Sequence, residues 1–440
     1  MQVPGSPDPV STIDDAHAVE SAVNDPGQRW RLRFWMIFSG QALSLVGSAL
    51  TQFVLLWWIT ETTGSVSALT TAGMAALLPQ ALLSPLGGTF ADRYSRRALM
   101  IAADAISALC MVGLIALFVS GSIELWHAYV MMFIRSSMQA FQGPAAAASM
   151  AMLVPREFLP RAAGLNQSLQ SFTLVAAAPL GAIAISVMPM GWALGIDVMT
   201  ALLGMVPLLV YAIPQARAAV AGGLTGMWGE FREGLALVWG HPGLRRLYGL
   251  LGAVVLVIMP SYTLVPLLVK EHFTGGSAQV ALLEGLGGIG MVIGGLVIAA
   301  LAPRRQVPWI LWGLAGSCGA LALTALAPGR LFGVAVAWWI CSGFAFVLGN
   351  APLTALLQTV IPNHLQGRAL SLLAMVMGLA APVGLALATP LGEVVGIRWL
   401  FVLVGALGAL VALLGFFSRT LRSLDAGVGF SMSTCKAASD

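Results

Sequence analysis

The sequence predicts an all-α integral membrane protein in which twelve transmembrane helices form two pseudo-symmetric six-helix halves. Three observations support this fold class. First, 58% of the 440 residues are hydrophobic and only 9% are charged, whereas charged residues make up roughly a quarter of a soluble protein. Second, apolar stretches of about 20 residues, the length that a helix needs to cross a bilayer, recur along nearly the whole chain. Third, a loop motif after the fourth stretch returns after the tenth.

Twelve apolar stretches are long enough to span a membrane. They cover residues 34–59, 66–90, 98–120, 126–152, 164–188, 191–213, 245–269, 278–301, 308–327, 331–356, 369–391 and 396–418. The chain is thereby divided into a tail, a first half, a linker, a second half and another tail. These five parts are residues 1–30, 31–213, 214–244, 245–418 and 419–440. The first tail is rich in acidic residues and proline, so we expect a disordered segment and not a cleaved signal peptide.

The distribution of basic residues predicts the orientation in the membrane. Most of the 22 Lys and Arg residues fall in the tails and loops on one side of the twelve stretches. Basic residues concentrate in cytoplasmic loops, so the sequence predicts a multi-pass protein of the plasma (inner) membrane with both termini cytoplasmic. The net charge of +4 then reflects topology. No basic domain is present that would bind nucleic acid.

The repeated motif lies in two equivalent loops. Pro155 and Arg161 follow the fourth stretch, and Pro362 and Arg368 follow the tenth. Two halves in parallel order explain this repeat. The linker between them has apolar residues at helical spacing, which predicts an amphipathic helix at 214–244. That helix lies either on the cytoplasmic membrane surface or on loops of the protein itself.

Polar side chains recur at helical spacing inside four of the apolar stretches. Because lipid offers no hydrogen-bond partner, such side chains should face the bundle interior or a water-filled cavity. The alternative is that they only join helices by hydrogen bonds. We interpret the four faces together as the lining of a substrate cavity. Its predicted residues are Gln41, Ser44, Ser48 and Gln52; Arg135, Gln139 and Gln142; Asn166, Gln170 and Thr173; and Asn350, Thr354 and Gln358.

Arg135 should have an acidic partner, since a charge at the centre of a membrane helix costs about 2.5 to 3.5 kcal/mol. The candidates are Asp104, Asp197 and Glu284, and the sequence alone does not pair them. A carboxylate in an apolar cavity can also carry protons. Glu284 is the preferred proton carrier. Asp104, two turns above Arg97 on the same helix face, is expected to be a structural partner.

Other functional classes lack support in the sequence. The glycines at 285, 287 and 290 match a dinucleotide-binding pattern, but they lie inside an apolar stretch with no preceding strand. No phosphate-binding loop is present, so the chain should not hydrolyse ATP. The four cysteines and five histidines show no metal-binding spacing. We therefore expect no cofactor and no metal, and neither a membrane enzyme nor a receptor fits the chain well.

The loop GGTFADRYSRR at 87–97 joins the second and third stretches. It resembles the loop between helices 2 and 3 of the major facilitator superfamily of transporters. The residues that carry the resemblance are Gly88, Asp92, Arg93, Arg96 and Arg97. In that family the acid and the arginines are thought to form a cytoplasmic latch, so the resemblance implies a latch role for Asp92, Arg93 and Arg97. Arg96 could instead only enforce topology.

Three further segments resemble the branch of this family that holds macrolide efflux proteins and the enterobactin exporter. They are residues 40–58, 141–155 and 230–247. Arg135 is similar to an arginine associated with proton coupling in drug antiporters, whereas the fifth-span antiporter motif survives only as Ala178–Gly181. The resemblance implies a monomeric, proton-coupled exporter of amphipathic small molecules. A siderophore or metabolite exporter, or an importer, is the alternative.

Overall fold

A computed structural model describes residues 29–213, 235–236, 238–301, 303, 305–361, 363–422 and 424. The first tail up to residue 28, most of the linker, Pro362 and the tail from residue 425 lie outside the described residues. So do the side chains of Asp92, Gln358 and Arg368. The predictions of a disordered tail and of an amphipathic linker helix therefore stay predictions.

Twelve long helices make up the described part of the chain. They are α1 (Trp30–Thr63), α2 (Val66–Arg93), α3 (Arg96–Ser120), α4 (Leu125–Leu153), α5 (Leu159–Val187), α6 (Met190–Val210), α7 (Pro242–His272), α8 (Ser277–Leu301), α9 (Gln306–Leu326), α10 (Phe332–Val360), α11 (Asn363–Val395) and α12 (Ile397–Leu414). A short helix, α13 (Arg419–Arg422), follows.

Local sequence explains several helix boundaries. Ser65 and Ser95 accept hydrogen bonds from the backbone at the starts of α2 and α3, because a serine oxygen can satisfy an otherwise unpaired N–H there. Gly64 and Gly121 end α1 and α3 in the left-handed conformation that glycine adopts without strain.

Eleven of the helices are long and apolar enough to cross a membrane. The exception is α4, which carries the polar residues Arg135, Gln139 and Gln142. Its position between two apolar spans and its packing against α2 and α3 place it in the bundle with the others. The predicted all-α membrane fold is confirmed.

The helices pack in the same pattern in both halves. In the first half, α1 contacts α5 and α6, α2 contacts α4, and α3 contacts α4 and α6. In the second half, the same pairs recur with every helix number raised by six. The halves meet along two junctions, α2 with α11 and α5 with α8. This repetition confirms the predicted two-half architecture.

An even number of helices brings both ends of the described bundle to one side. We call this side, where α1 begins and α12 ends, the terminal face, and the opposite side the far face. Both junctions are tightly packed from the far face to the middle of the bundle. A Cβ at Gly288 of α8 would overlap Val175 of α5, and a Cβ at Gly73 of α2 would crowd Leu385 of α11.

Candidate transport site

A cavity lies in the first half and extends from the terminal face to the middle of the bundle. The space between its lining atoms is about 930 Å³, a volume that includes open solvent at its mouth. Residues of α1, α3, α4 and α5 line it. Its depth is spanned by α1, from Phe34 near the start of that helix to Ser48 at its middle.

Seven of the predicted cavity residues line this space. They are Gln41, Ser44, Ser48, Gln139, Gln142, Asn166 and Gln170. Arg135, Gln52 and Thr173 do not line it. Asn350 and Thr354 lie on α10 in the second half and are exposed, so the structure does not bring the fourth polar face together with the other three.

The sequence predicts that apolar and aromatic walls contribute to substrate binding, but it did not identify which residues form them. Phe34 and Phe38 of α1 stack with ring centroids 5.5 Å apart, and Met100 of α3 and Met150 of α4 also line the cavity. A signal was present in the sequence. Phe34 and Phe38 precede Gln41 by seven and three residues, so they share its helix face.

Arg135 is paired with Asp197 of α6. Its guanidinium lies 3.1 Å from the carboxylate of Asp197, and the hydroxyl of Ser48 donates a second hydrogen bond of 3.1 Å to the same carboxylate. The side chains of Arg135 and Asp197 are only 13% and 6% exposed. A buried ion pair of this kind stabilises each charge through the other, which answers the question that the sequence left open.

Asp104 of α3 has neutral partners. Gln142 donates a 2.6 Å hydrogen bond to one carboxylate oxygen, and Gln41 donates a 3.4 Å hydrogen bond to the other. Gln142 also donates to the Gln41 side-chain oxygen at 3.2 Å. Arg97, the residue below Asp104 on its own helix, instead donates to backbone oxygens of Leu208 and Leu209.

Glu284 of α8 lies apart from these groups. The glycines one turn after it pack against two other helices: Gly288 meets Val175 of α5, and Gly287 meets Trp339 of α10. Glu284 therefore occupies the α8 surface at the junction of the halves. It forms no hydrogen bond or ion pair with the other described residues.

The loop between α2 and α3 is held to its own half. Arg96 donates to the backbone oxygens of Ala91 and Ala148, and Arg97 binds the last turn of α6. Arginine suits that position because carbonyls at a helix C-terminus lack intrahelical partners and carry partial negative charge. Arg93 is exposed, and a Cβ at Gly88 would meet open space.

The far face carries polar contacts that cross between the halves. The ammonium group of Lys270 at the end of α7 lies 2.8 and 2.9 Å from the carbonyl oxygens of Thr60 and Glu61 in the last turn of α1. Thr389 of α11 donates a 2.7 Å hydrogen bond to Thr70 of α2. These contacts join α1 to α7 and α2 to α11 at the far face, and of these four helices only α1 also lines the cavity.

The remnant of the antiporter motif also lies where elements meet. Pro179 packs against Gly285 of α8, and Gly181 packs against Phe53 and the Leu50 carbonyl of α1. The small residues of Ala178–Gly181 therefore allow α5 to approach both its own half and the other half closely.

Two packed six-helix halves, the first of which holds a cavity that opens at the terminal face, are the architecture of a secondary membrane transporter, not of an enzyme. A family model described as the Major Facilitator Superfamily matches residues 37–384 and 250–428. The chain belongs to the major facilitator superfamily.

Relatives of known sequence agree with this membership. Over 399 residues the chain is 31% identical to macrolide efflux protein A of Streptococcus pyogenes, covering 90% of this chain and 98% of that protein. It is 24% identical over 404 residues to the multidrug efflux pump Tap of Mycolicibacterium fortuitum, covering 86% and 94%. The predicted resemblance to the macrolide-efflux branch is confirmed, and the chain is an efflux-type transporter.

The fold is also similar to solved structures. A bacterial homologue of the human lysosomal transporter Spinster, in an inward-facing and unoccupied conformation, aligns with a TM-score of 0.68 at 16% identity. The alignment covers 90% of this chain and 99% of that chain. At this identity the likeness establishes the fold alone.

Proposed function

We propose that this protein exports amphipathic small molecules, including macrolide-like compounds, by proton-coupled alternating access, and that it works as a monomer. The observation that carries the proposal is the composition of the cavity. Its wall combines phenylalanine and methionine side chains with the carboxamides of Gln41, Gln139, Gln142, Asn166 and Gln170. An apolar wall with a few polar groups suits a ligand that has both kinds of surface.

The direction of transport follows from the orientation. The bias of Lys and Arg supports a cytoplasmic terminal face in the plasma (inner) membrane. In that orientation the cavity takes up substrate from the cytoplasm, and the contacts at Lys270 and Thr389 keep the exit closed. Export then requires these far-face contacts to break while the terminal face closes.

Proton coupling is proposed for the buried ionisable groups. Asp104, Arg135 and Asp197 lie together beside the cavity, and Glu284 lies at the junction that must shear when the halves rock. Intramembrane ionisable residues commonly mark proton routes in transporters. Both locations couple a proton to the conformational change, the first through the cavity wall and the second through the α5–α8 junction.

The latch is proposed for the α2–α3 loop. Arg96 and Arg97 hold the loop in place, the exposed Arg93 is available to engage the second half when the terminal face closes, and we assign the same role to Asp92 by its resemblance to the family motif. Gly88 supports this role because the open space beside it allows another helix to approach.

The experiment uses membrane vesicles of inverted orientation, in which respiration acidifies the interior. We expect radiolabelled erythromycin to accumulate inside vesicles that contain the protein and to leave when a protonophore is added. Vesicles without the protein are the control. If erythromycin equilibrates through the protein but an imposed proton gradient drives no accumulation, proton coupling is wrong.

A further inference from the structure

Gln142 is shared between the cavity and a buried acid. Its side chain lines the cavity, and both of its N–H groups are used inside the protein, one by Asp104 and the other by the Gln41 oxygen. Asp104 itself is 5% exposed and does not line the cavity. A molecule in the cavity therefore meets Gln142 and not Asp104.

The two buried acids of the first half differ in what protonation would cost. Protonating Asp197 would leave the guanidinium of Arg135 buried without its counter-ion, which is strongly unfavourable. Protonating Asp104 leaves only neutral carboxamides behind. The charged groups that act on Asp104 from the helices packed against α3 are Asp197 of α6 and Arg135 of α4, and these offset each other as an ion pair.

We propose that Asp104 carries the transported proton and that Gln142 transmits its protonation state to the substrate. Asp104 is thus a positioning residue, because it acts on the substrate only through another side chain. The inference rests on the proposed proton-coupled export and names the acid and the cavity residue through which coupling occurs.

The hydrogen-bond donors and acceptors of Asp104 and Gln142 determine the mechanism. An ionised carboxylate only accepts hydrogen bonds, so it holds the Gln142 amino group inward and leaves the Gln142 oxygen available to a donor on the substrate. When a hydronium ion gives its proton to Asp104 and leaves as water, the new O–H of the carboxyl group needs an acceptor. The Gln142 oxygen provides one if the carboxamide turns over, which points its amino group into the cavity. Substrate that was held by the oxygen then loses its acceptor.

The test is the pH dependence of erythromycin binding to the purified protein in nanodiscs. For the unchanged protein we expect affinity to fall by about fivefold or more as Asp104 becomes protonated, the usual size of coupling between two sites. Asp104→Asn and Gln142→Leu should both bind with an affinity that no longer changes with pH. Gln139→Leu removes a cavity carboxamide that has no described bond to Asp104. It should lower affinity uniformly and keep the pH dependence.

Either of two binding results would overturn the proposal, and so would one spectroscopic result. If Gln142→Leu keeps the full pH dependence, the signal does not pass through Gln142; if Asp104→Asn keeps it, Asp104 is not the titrating group.

Infrared difference spectroscopy gives a readout without any substrate, so failure of erythromycin to bind counts against the export proposal alone. A protonated carboxyl band should be lost in Asp104→Asn and should titrate at a different pH in Gln142→Leu but not in Gln139→Leu. If the carboxyl band titrates at the same pH in Gln142→Leu as in Gln139→Leu and the unchanged protein, the hydrogen bond between Gln142 and Asp104 does not have the proposed role.

Discussion

The two faces of the bundle are held by different kinds of contact. At the far face, Lys270 and Thr389 form hydrogen bonds from one half to the other. At the terminal face, the described contacts of Arg96 and Arg97 stay inside the first half. Bonds that cross the junction close a face, whereas bonds within one half only make that half rigid. Among the described residues, side-chain hydrogen bonds therefore tie the two halves together at the far face, and Arg96 and Arg97 add none between the halves at the terminal face.

The largest expected effect comes from disrupting the packed α5–α8 junction. In Gly288→Leu a branched side chain would overlap Val175, and overpacking of a well-packed contact costs about 1–3 kcal/mol. We expect transport to fall about tenfold or more, measured as erythromycin efflux from cells. Gly113→Leu is the control, since a Cβ at that exposed position of α3 meets open space. Equal efflux by the two variants would show that the α5–α8 contact is not needed.

Removing the charge of Lys270, whose hydrogen bonds join the two halves at the far face, should have the next largest effect. Lys270→Met deletes two charge-assisted hydrogen bonds, each worth about 1.5–3 kcal/mol when buried and less at this partly exposed site. We expect the far face to open more often, so that a cysteine placed at Ser67 in a cysteine-free background reacts severalfold faster with an impermeant maleimide. Lys270→Arg keeps a donor and should react at the original rate. A slower reaction in Lys270→Met would contradict the closing role.

At the terminal face, one arginine variant should lower stability and another should impair transport. Arg97→Met removes the bonds to the end of α6, and the loss should lower thermal stability by about 1 kcal/mol. Arg93→Met should leave stability unchanged because Arg93 is exposed, yet it should impair transport if Arg93 belongs to the latch. Melting curves and efflux assays on both variants measure this. A stable Arg93→Met protein with full transport would remove Arg93 from the latch, and a similar result for Asp92→Asn would remove the latch altogether.

The smallest effect is expected at the threonine pair. Thr389→Val loses one neutral hydrogen bond to Thr70, worth about 1 kcal/mol, and should raise maleimide labelling at the far face only about twofold. Thr389→Ser keeps the hydroxyl and should match the unchanged protein. A larger effect than that of Lys270→Met would mean that the α2–α11 junction, and not the α1–α7 contact, dominates closure.

Much of the fold could be predicted because membrane helices are recognisable from their apolar composition and their length. The structure places seven residues from three of the four polar faces at the cavity, in keeping with the expectation that polar residues at helical spacing turn inward. Asn350 and Thr354 lie elsewhere, because their exposure depends on how α10 is rotated against α8 and α9, which a single helix does not encode.

Side-chain pairings between helices could not be predicted from the sequence. Arg135 and Asp197 lie 62 residues apart, and three acids were equally available to Arg135 until packing brought α4, α6 and α1 together. Lys270 was missed for another reason. Its partners are backbone oxygens, which every residue possesses, so no side-chain pattern marks the contact.

The most direct test of alternating access is to lock the far face. Thr70→Cys and Thr389→Cys, combined in a cysteine-free protein, replace two hydroxyls 2.7 Å apart, a distance that brings their β-carbons within reach of a disulfide. We predict that oxidation stops efflux of erythromycin, that reduction restores it, and that each single-cysteine variant transports throughout. Undiminished efflux by fully cross-linked protein would contradict the claim that the far face must open in every cycle.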